Sequence, residues 1–150
     1  MTNTDSIRKE MLLLAPRARV WRALSDAGEF ATWFKMKLDG PFEVGRTVHG
    51  RFEIPKYEHL SFEMKVERID PQDVFSYRWH PYAMDPDVDY SKEPMTLVQF
   101  ELVDAPDGTL LTLTESGFDK IPASRREEAF RMNEGGWGSK VVDLKRYVEA

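Results

Sequence analysis

Glu115 is the residue of this sequence whose position best fits a chemical role. It follows Leu111 and Leu113 at intervals of two, and side chains two apart on a β-strand point to the same face. If the leucines are buried, the carboxylate of Glu115 faces inward near the end of the strand, where water or a ligand could reach it. Because burial disfavours the charged form of a carboxylate, Glu115 is a candidate acid or base, or an anchor for a ligand. The alternative is a structural carboxylate paired with an arginine or a hydroxyl partner at the rim of a cavity.

Large apolar side chains are the second signal, since aromatic rings supply much of the area that a flat apolar ligand contacts. Together with Glu115, the candidate ligand-binding residues are Trp33, Phe34, Phe62, Met64, Phe75, Tyr77, Trp79, Phe100, Leu113, Phe130 and Trp137. The same side chains could form a solid core, because burying a phenylalanine contributes about 1.5 to 3 kcal/mol with or without a ligand. Both interpretations stay open at the level of sequence.

Several classes of site are disfavoured by residue type and spacing. The histidines at 49, 59 and 80 lack the i, i+4 or clustered spacing of metal ligands, and the chain has no cysteine for a zinc or iron–sulfur site. No phosphate-binding loop, dinucleotide fingerprint or nucleophile elbow occurs. We therefore predict neither a metal nor an organic cofactor.

Charge and hydropathy limit the partners. The net charge of -5, with lysines and arginines interspersed among acids, disfavours nucleic-acid binding, which needs a basic stripe. The longest strongly apolar run, residues 11–15, is far shorter than the roughly 20 residues that span a bilayer. The opening residues also lack the apolar core of a signal peptide. We expect no membrane insertion and a cytoplasmic location.

The elements that would position these residues form an α+β plan. A strand over residues 7–14 precedes two short helices, the first over 16–25 and the second capped by Asp26 and Glu29. Between residues 40 and 117 the apolar period is two, with turn sequences at 70–73 and 105–108, which predicts an antiparallel meander. The residues predicted to line its concave face are Phe62, Met64, Phe75, Tyr77, Trp79, Val98, Phe100, Leu111 and Leu113.

A long helix is predicted after Pro122, with Phe130, Trp137, Val141 and Leu144 facing the sheet. The glycine pair 135–136 indicates a kink or a close approach of backbone, and the charged run 125–128 fits a solvated face. The segment 80–94 is long for a hairpin connection, so it is either a lid or a solvated acidic loop.

The chain resembles the SRPBCC superfamily of START-like and birch-pollen-allergen-like helix-grip proteins, in the branch similar to the C-terminal domain of the Hsp90 ATPase activator. The segments that carry the resemblance are Ala15-Pro16 with Val20-Trp21, Trp33-Phe34, the turn 42–45, Tyr77-Arg78-Trp79, the stretch 108–118, and Gly136-Trp137. The resemblance implies a helix-grip fold: a curved antiparallel sheet of about six to seven strands around a long C-terminal helix, with two short helices after the first strand. It also implies a cavity between sheet and helix.

We therefore expect a single helix-grip domain over residues 1–150 that binds a hydrophobic small molecule, aromatic or aliphatic, in this cavity. One alternative is a cofactor-independent enzyme, similar to a cyclase or hydrolase, that uses Glu115 as acid or base and Tyr77 or Tyr82 as hydroxyl donor. Another is an interaction module with a chaperone partner. Because the Hsp90 activator carries a further N-terminal domain, the resemblance supports the helix-grip fold more strongly than it supports a co-chaperone role. A homodimer is a further expectation.

Overall fold

The computed structural model describes residues 5–58 and 60–150, so His59 lies outside the described residues. One antiparallel sheet of seven strands has the order β1-β7-β6-β5-β4-β3-β2. The strands are β1 (Ser6–Leu13), β2 (Met36–Leu38), β3 (Thr47–Phe52), β4 (Ser61–Asp70), β5 (Val74–Trp79), β6 (Thr96–Ala105) and β7 (Gly108–Ser116). The predicted meander is confirmed, with the short edge strand β2 added at one side.

Two short helices, α1 (Arg17–Ser25) and α2 (Ala27–Phe34), separate β1 from β2. Asp26 is the N-cap of α2 and accepts a hydrogen bond from the backbone N–H of Glu29 at 3.0 Å. The Glu29 carboxylate does not complete a capping box. Instead it accepts hydrogen bonds from Arg19, at 2.8 Å, and from Tyr147 of the last helix, at 3.0 Å, so it ties α1 and α2 to the C-terminus.

The inner face of the sheet follows the predicted period of two. Tyr77 lies opposite Val98 and Phe100 lies opposite Leu113 in the antiparallel ladders. All nine residues predicted for this face are buried except Phe62, which is half-buried and packs against the core. The register of the four central strands is therefore confirmed.

The long C-terminal helix α3 (Ala123–Glu149) packs against β1, α1 and α2. Its buried residues include Trp137, Val141 and Leu144, as predicted. Phe130 is only half-buried and packs edge-on against Phe118, at 5.2 Å between ring centroids, in the turn that follows β7. Among the described residues, no helix combines the length and apolar character needed to cross a membrane.

The glycines of α3 do not mark a close approach of backbone, so that expectation is wrong. A Cβ atom built on Gly135, Gly136 or Gly138 meets no atom within 4 Å beyond the helix itself. The helix is continuous through all three positions, and a bend there stays a prediction.

Candidate functional site

Most of the predicted ligand-binding residues lie in a packed aromatic core. Phe30 of α2 is at its centre, with ring centroids 6.2 Å from Phe75, 6.2 Å from Tyr77 and 6.3 Å from Phe100. Trp33, Met64 and Leu113 are also buried in this core. These rings contact one another, which is the packing expected of a solid interior.

Glu115 is fully buried, as its position after two buried leucines predicts. Its Oε2 atom accepts hydrogen bonds from Trp79 Nε1 at 2.7 Å and Thr96 Oγ1 at 2.5 Å. Its Oε1 atom accepts from Trp137 Nε1 at 2.8 Å and Asn133 Nδ2 at 3.0 Å. These donors come from β5, β6 and α3, so the carboxylate joins the sheet to the last helix.

The partners of Glu115 differ in part from those expected. The structural alternative expected an arginine or a hydroxyl partner; the observed donors are the hydroxyl of Thr96, two indoles and an amide. An ionised carboxylate only accepts hydrogen bonds and an indole N–H only donates. Each of the two oxygens of Glu115 is therefore surrounded by donors of the kind that a carboxylate needs.

Tyr77 carries a hydroxyl group that is buried without a hydrogen-bond partner among the described residues. Burial, reinforced by the negative charge of Glu115, raises the pKa of this hydroxyl well above its ordinary value of 10.0. The group is therefore held in its neutral form, deep among aromatic rings.

An apolar pocket of about 200 Å³ opens between β3, the loop after β5, α2 and the middle of α3. We call it the aromatic pocket. Its lining residues are Phe34, Phe52, Ile54, Tyr57, Trp79, Tyr82, Met84, Met132, Asn133, Gly136, Trp137 and Lys140. Trp79, Asn133 and Trp137 both line this pocket and bind Glu115, so they separate the carboxylate from it.

The segment 80–94 covers one side of the aromatic pocket with Tyr82 and Met84. Arg125 of α3 holds this segment: its guanidinium donates to Glu93 Oε1 at 2.5 and 2.9 Å and to the Pro81 carbonyl at 2.8 Å. Arg125 was expected on a solvated helix face, and this is wrong, because only 18% of its side chain is exposed. The Arg125 guanidinium instead connects the segment 80–94 to α3.

Lys140 lines the aromatic pocket from α3, C-terminal of Trp137. Its Nζ donates to the Phe34 carbonyl at 2.8 Å, lies 3.5 Å from Asp143 Oδ2, and sits 4.9 Å from the centre of the Phe34 ring. Burial lowers the pKa of Lys140, with Lys35 adding to the effect and Asp143 opposing it. The ammonium group has therefore lost part of its hydration, and its contacts with the Phe34 carbonyl and Asp143 replace only part of what is lost.

A second, larger depression of about 400 Å³ lies between β4 and the segment 80–94, with a more polar lining that includes His49, Glu63, His80 and Asp85. His49 is exposed and lies between two carboxylates, at 3.4 Å from Asp39 and 3.5 Å from Glu63. The lining of this depression mixes these polar and charged groups with apolar residues such as Leu60 and Val88, whereas the lining of the aromatic pocket is almost wholly apolar, as is typical of small-molecule sites.

Of the predicted ligand-binding residues, Phe34, Trp79 and Trp137 line the aromatic pocket. Phe62 lines both the depression of about 400 Å³ and a small recess of about 60 Å³ beside the aromatic pocket. The others lie in the core or, for Phe130, against the turn after β7. The prediction missed Asn133, Gly136 and Lys140. With Trp137 they occupy positions i, i+3, i+4 and i+7, which is the spacing of a single helix face. Tyr57 and Met84 lie in loops, where periodicity gives no signal.

A curved seven-stranded antiparallel sheet packed on one long C-terminal helix, with a pocket beside that helix, defines a helix-grip domain. The chain belongs to the family described as activator of Hsp90 ATPase homolog 1-like protein, whose model matches residues 14–149. The resemblance to this branch of the SRPBCC superfamily is thereby confirmed. No curated protein gives a significant match.

Solved structures of similar fold come from several bacteria. Protein MLL2253 from Mesorhizobium loti is 24% identical, with a TM-score of 0.76 and 96% of each chain covered. The Aha1 dimer from Colwellia psychrerythraea is 16% identical, with a TM-score of 0.72 and again 96% of each chain covered. DynU16, from the dynemicin biosynthetic locus, is 24% identical with a TM-score of 0.72, over 97% of this chain and 48% of that one. At these identities the likeness shows the fold.

Proposed function

We propose that this protein binds a small apolar molecule in the aromatic pocket, without a metal or organic cofactor. The observation that carries the proposal is the lining itself: Phe34, Phe52, Trp79 and Trp137 present ring surface to a space that opens to solvent. Small-molecule sites are typically apolar concavities with a few placed polar groups, and Asn133 supplies such a group here.

The size of the pocket favours a ligand of one or two rings. An engineered apolar cavity of about 150 Å³ admits benzene, and the aromatic pocket measures about 200 Å³. Gly136 supports the same proposal, because a glycine in mid-helix costs about 1 kcal/mol relative to alanine and has no packing reason at this position. Its missing side chain keeps one wall of the pocket open.

The segment 80–94 supports the proposal through Tyr82, whose φ of 49° lies in the left-handed region. Such backbone strain in a non-glycine residue is concentrated at binding and switch regions. Burial, with Glu128 as the next contributor, also raises the pKa of the Tyr82 hydroxyl, which keeps it a neutral hydrogen-bonding group at the pocket wall.

Two helix positions provide a matched test. Gly136 lines the pocket and Gly135 does not, yet both are exposed, and both have open space where a side chain would begin. Gly136→Leu should therefore fill the pocket mouth, whereas Gly135→Leu should leave it open. Both changes should raise stability by about 0.5 to 1 kcal/mol, because leucine is the better helix former.

The probe is 2-naphthamide, a neutral two-ring compound, and the readout is quenching of the tryptophan fluorescence, to which Trp79 and Trp137 contribute from the pocket wall. We expect saturable quenching in the wild type and in Gly135→Leu, and at least a tenfold weaker affinity in Gly136→Leu. The proposal is wrong if 2-naphthamide does not bind the wild type, or if both leucine variants bind it equally.

A catalytic use of Glu115 has no comparable support, because both of its oxygen atoms already accept hydrogen bonds from side chains and three of these side chains lie between it and the aromatic pocket. The origin of DynU16 in a biosynthetic locus supports a small-molecule ligand for this chain, whether the ligand is only bound or is also converted. The co-chaperone role stays a prediction, and stimulation of Hsp90 ATPase turnover by the purified chain tests it.

The homodimer and the cytoplasmic location also stay predictions. The dimeric state of the Aha1 protein from Colwellia psychrerythraea supports a dimer. Sedimentation velocity at micromolar concentration should give a species of twice the chain mass of 17.4 kDa. A single species of 17.4 kDa would contradict the dimer.

A further inference from the structure

The charged group of the aromatic pocket is Lys140. Among residues 5–58 and 60–150, it is the one pocket-lining side chain that carries a charge at neutral pH. Only 15% of the side chain is exposed. A lysine half-buried beside aromatic rings loses hydration that bulk water would have supplied, so its neighbours determine what it can bind.

The hydrogen bonds of Lys140 leave one donor position open. An ammonium group has three N–H donors and no acceptor. One is directed at the Phe34 carbonyl, at 2.8 Å, and a second faces Asp143 Oδ2 at the longer distance of 3.5 Å. The third can be used by a ligand in the pocket that Lys140 lines.

The lowered pKa of Lys140 agrees with this arrangement. Burial disfavours its charged form more than Asp143 restores it, and Lys35 adds a second positive charge nearby. A negative group brought into the pocket would relieve both effects, since an opposite charge within hydrogen-bonding distance stabilises the ammonium.

We propose that the ligand of the aromatic pocket is an apolar acid, whose one- or two-ring body contacts the aromatic walls and whose carboxylate accepts a hydrogen bond from Lys140. This inference rests on the proposed function and specifies the class of ligand. Asn133 supplies a second polar contact: its Nδ2 donates to Glu115 at 3.0 Å, which leaves its carbonyl oxygen available to a hydrogen-bond donor on the ligand.

Two probes of the same shape separate charge from apolar contact. We compare 2-naphthoate with 2-naphthamide, which replaces the carboxylate by a neutral amide. Because a hydrogen bond to a charged group contributes about 1.5 to 3 kcal/mol, 2-naphthoate should bind the wild type at least about tenfold more tightly. Equal affinities, or tighter binding of the amide, would overturn the inference without any variant.

The variants then assign the preference to one residue. Lys140→Met removes the charge and keeps the length of the side chain, and Lys140→Gln retains a donor toward the Phe34 carbonyl in case the first variant fails to fold. Lys145→Met is the matched control, since Lys145 lies on the same helix and does not line the pocket. We expect both Lys140 variants to lose the preference for 2-naphthoate with the affinity for 2-naphthamide kept, and Lys145→Met to retain it.

A preference for 2-naphthoate that survives in the Lys140 variants would also overturn the inference. Loss of the preference in Lys145→Met would do the same, because the preference would then depend on the overall charge of the protein and not on the contact with Lys140. These failures differ from failure of the proposed function, in which 2-naphthamide does not bind the wild type or binds Gly135→Leu and Gly136→Leu equally.

Discussion

Replacing Glu115 by glutamine keeps the shape of the side chain but removes one of its two acceptor atoms. In the wild type, each carboxylate oxygen receives one indole N–H, from Trp79 on Oε2 and from Trp137 on Oε1. Whichever way the new amide is oriented, its NH₂ group faces one of these indoles. Thr96 can rotate its hydroxyl and Asn133 can turn its amide to accept a hydrogen bond, but an indole has no acceptor.

The cost follows from that one unmatched donor. Leaving a buried donor unsatisfied costs about 1 to 3 kcal/mol, and the remaining hydrogen bonds lose their charge assistance. Removal of a buried charge offsets part of this loss. We expect Glu115→Gln to lower the free energy of unfolding by about 2 kcal/mol, which corresponds to a fall in Tm of roughly 4 to 8 °C for a chain of this size.

Urea unfolding and thermal melting followed by circular dichroism measure this change. Glu127→Gln is the control, since Glu127 is exposed on α3 and a surface change of this type stays within about 0.5 kcal/mol. A Glu115→Gln protein as stable as the wild type would refute the reasoning. So would unchanged stability with loss of 2-naphthamide binding, which would assign Glu115 to the ligand.

Three further measurements test other parts of the account. Burial raises the pKa of Glu29, but hydrogen bonds from Arg19 and Tyr147 outweigh it and hold this pKa below its usual 4.5, so Glu29→Gln should cost at most about 1 kcal/mol. In urea titrations from pH 7 to 3, the difference in free energy of unfolding between the wild type and Glu29→Gln should be present in full above pH 4.5. It should vanish as the pH falls through the folded-state pKa of Glu29. Arg125→Met should release the segment 80–94 and raise its amide hydrogen exchange at least tenfold, with β5 unchanged; equal exchange would show that Arg125 does not fasten the loop. Because burial lowers the pKa of Lys140, the affinity for 2-naphthoate should begin to fall at a pH below the 10.5 of an ordinary lysine, whereas a pH-independent affinity would argue against the ammonium contact.

The fold was predictable from the sequence because its strands have one buried face. Alternation along β6 and β7 places Phe100 and Leu113 on the inner face, and a shift of one residue would expose both. Strand β5 alternates less strictly, because it buries Val74 and Ser76 as well as Tyr77. The parity of β7 also placed Glu115 inside the protein. Its partners could not be predicted, since Trp79, Thr96, Asn133 and Trp137 are brought together only by the packing of α3 on the sheet.

The pocket was harder to predict than the core. An aromatic residue has the same inward parity whether it is fully enclosed by the core, as Phe75 is, or packs against other rings and also faces an opening, as Phe52 does. What distinguishes the two is the position of the loops and of a missing side chain at Gly136. Arg125 was misassigned for a similar reason, because its partner Glu93 lies in a loop whose path the sequence does not specify.

The location of a bound ligand tests the central claim most directly. Of the seven methionines, Met84 and Met132 line the aromatic pocket, whereas Met64 is fully buried in the core. In protein labelled with ¹³C at the methionine methyl groups, bound 2-naphthoate should give intermolecular NOEs to Met84 and Met132 and none to Met64. NOEs confined to other methionines, or to Met64, would place the ligand elsewhere and contradict the account.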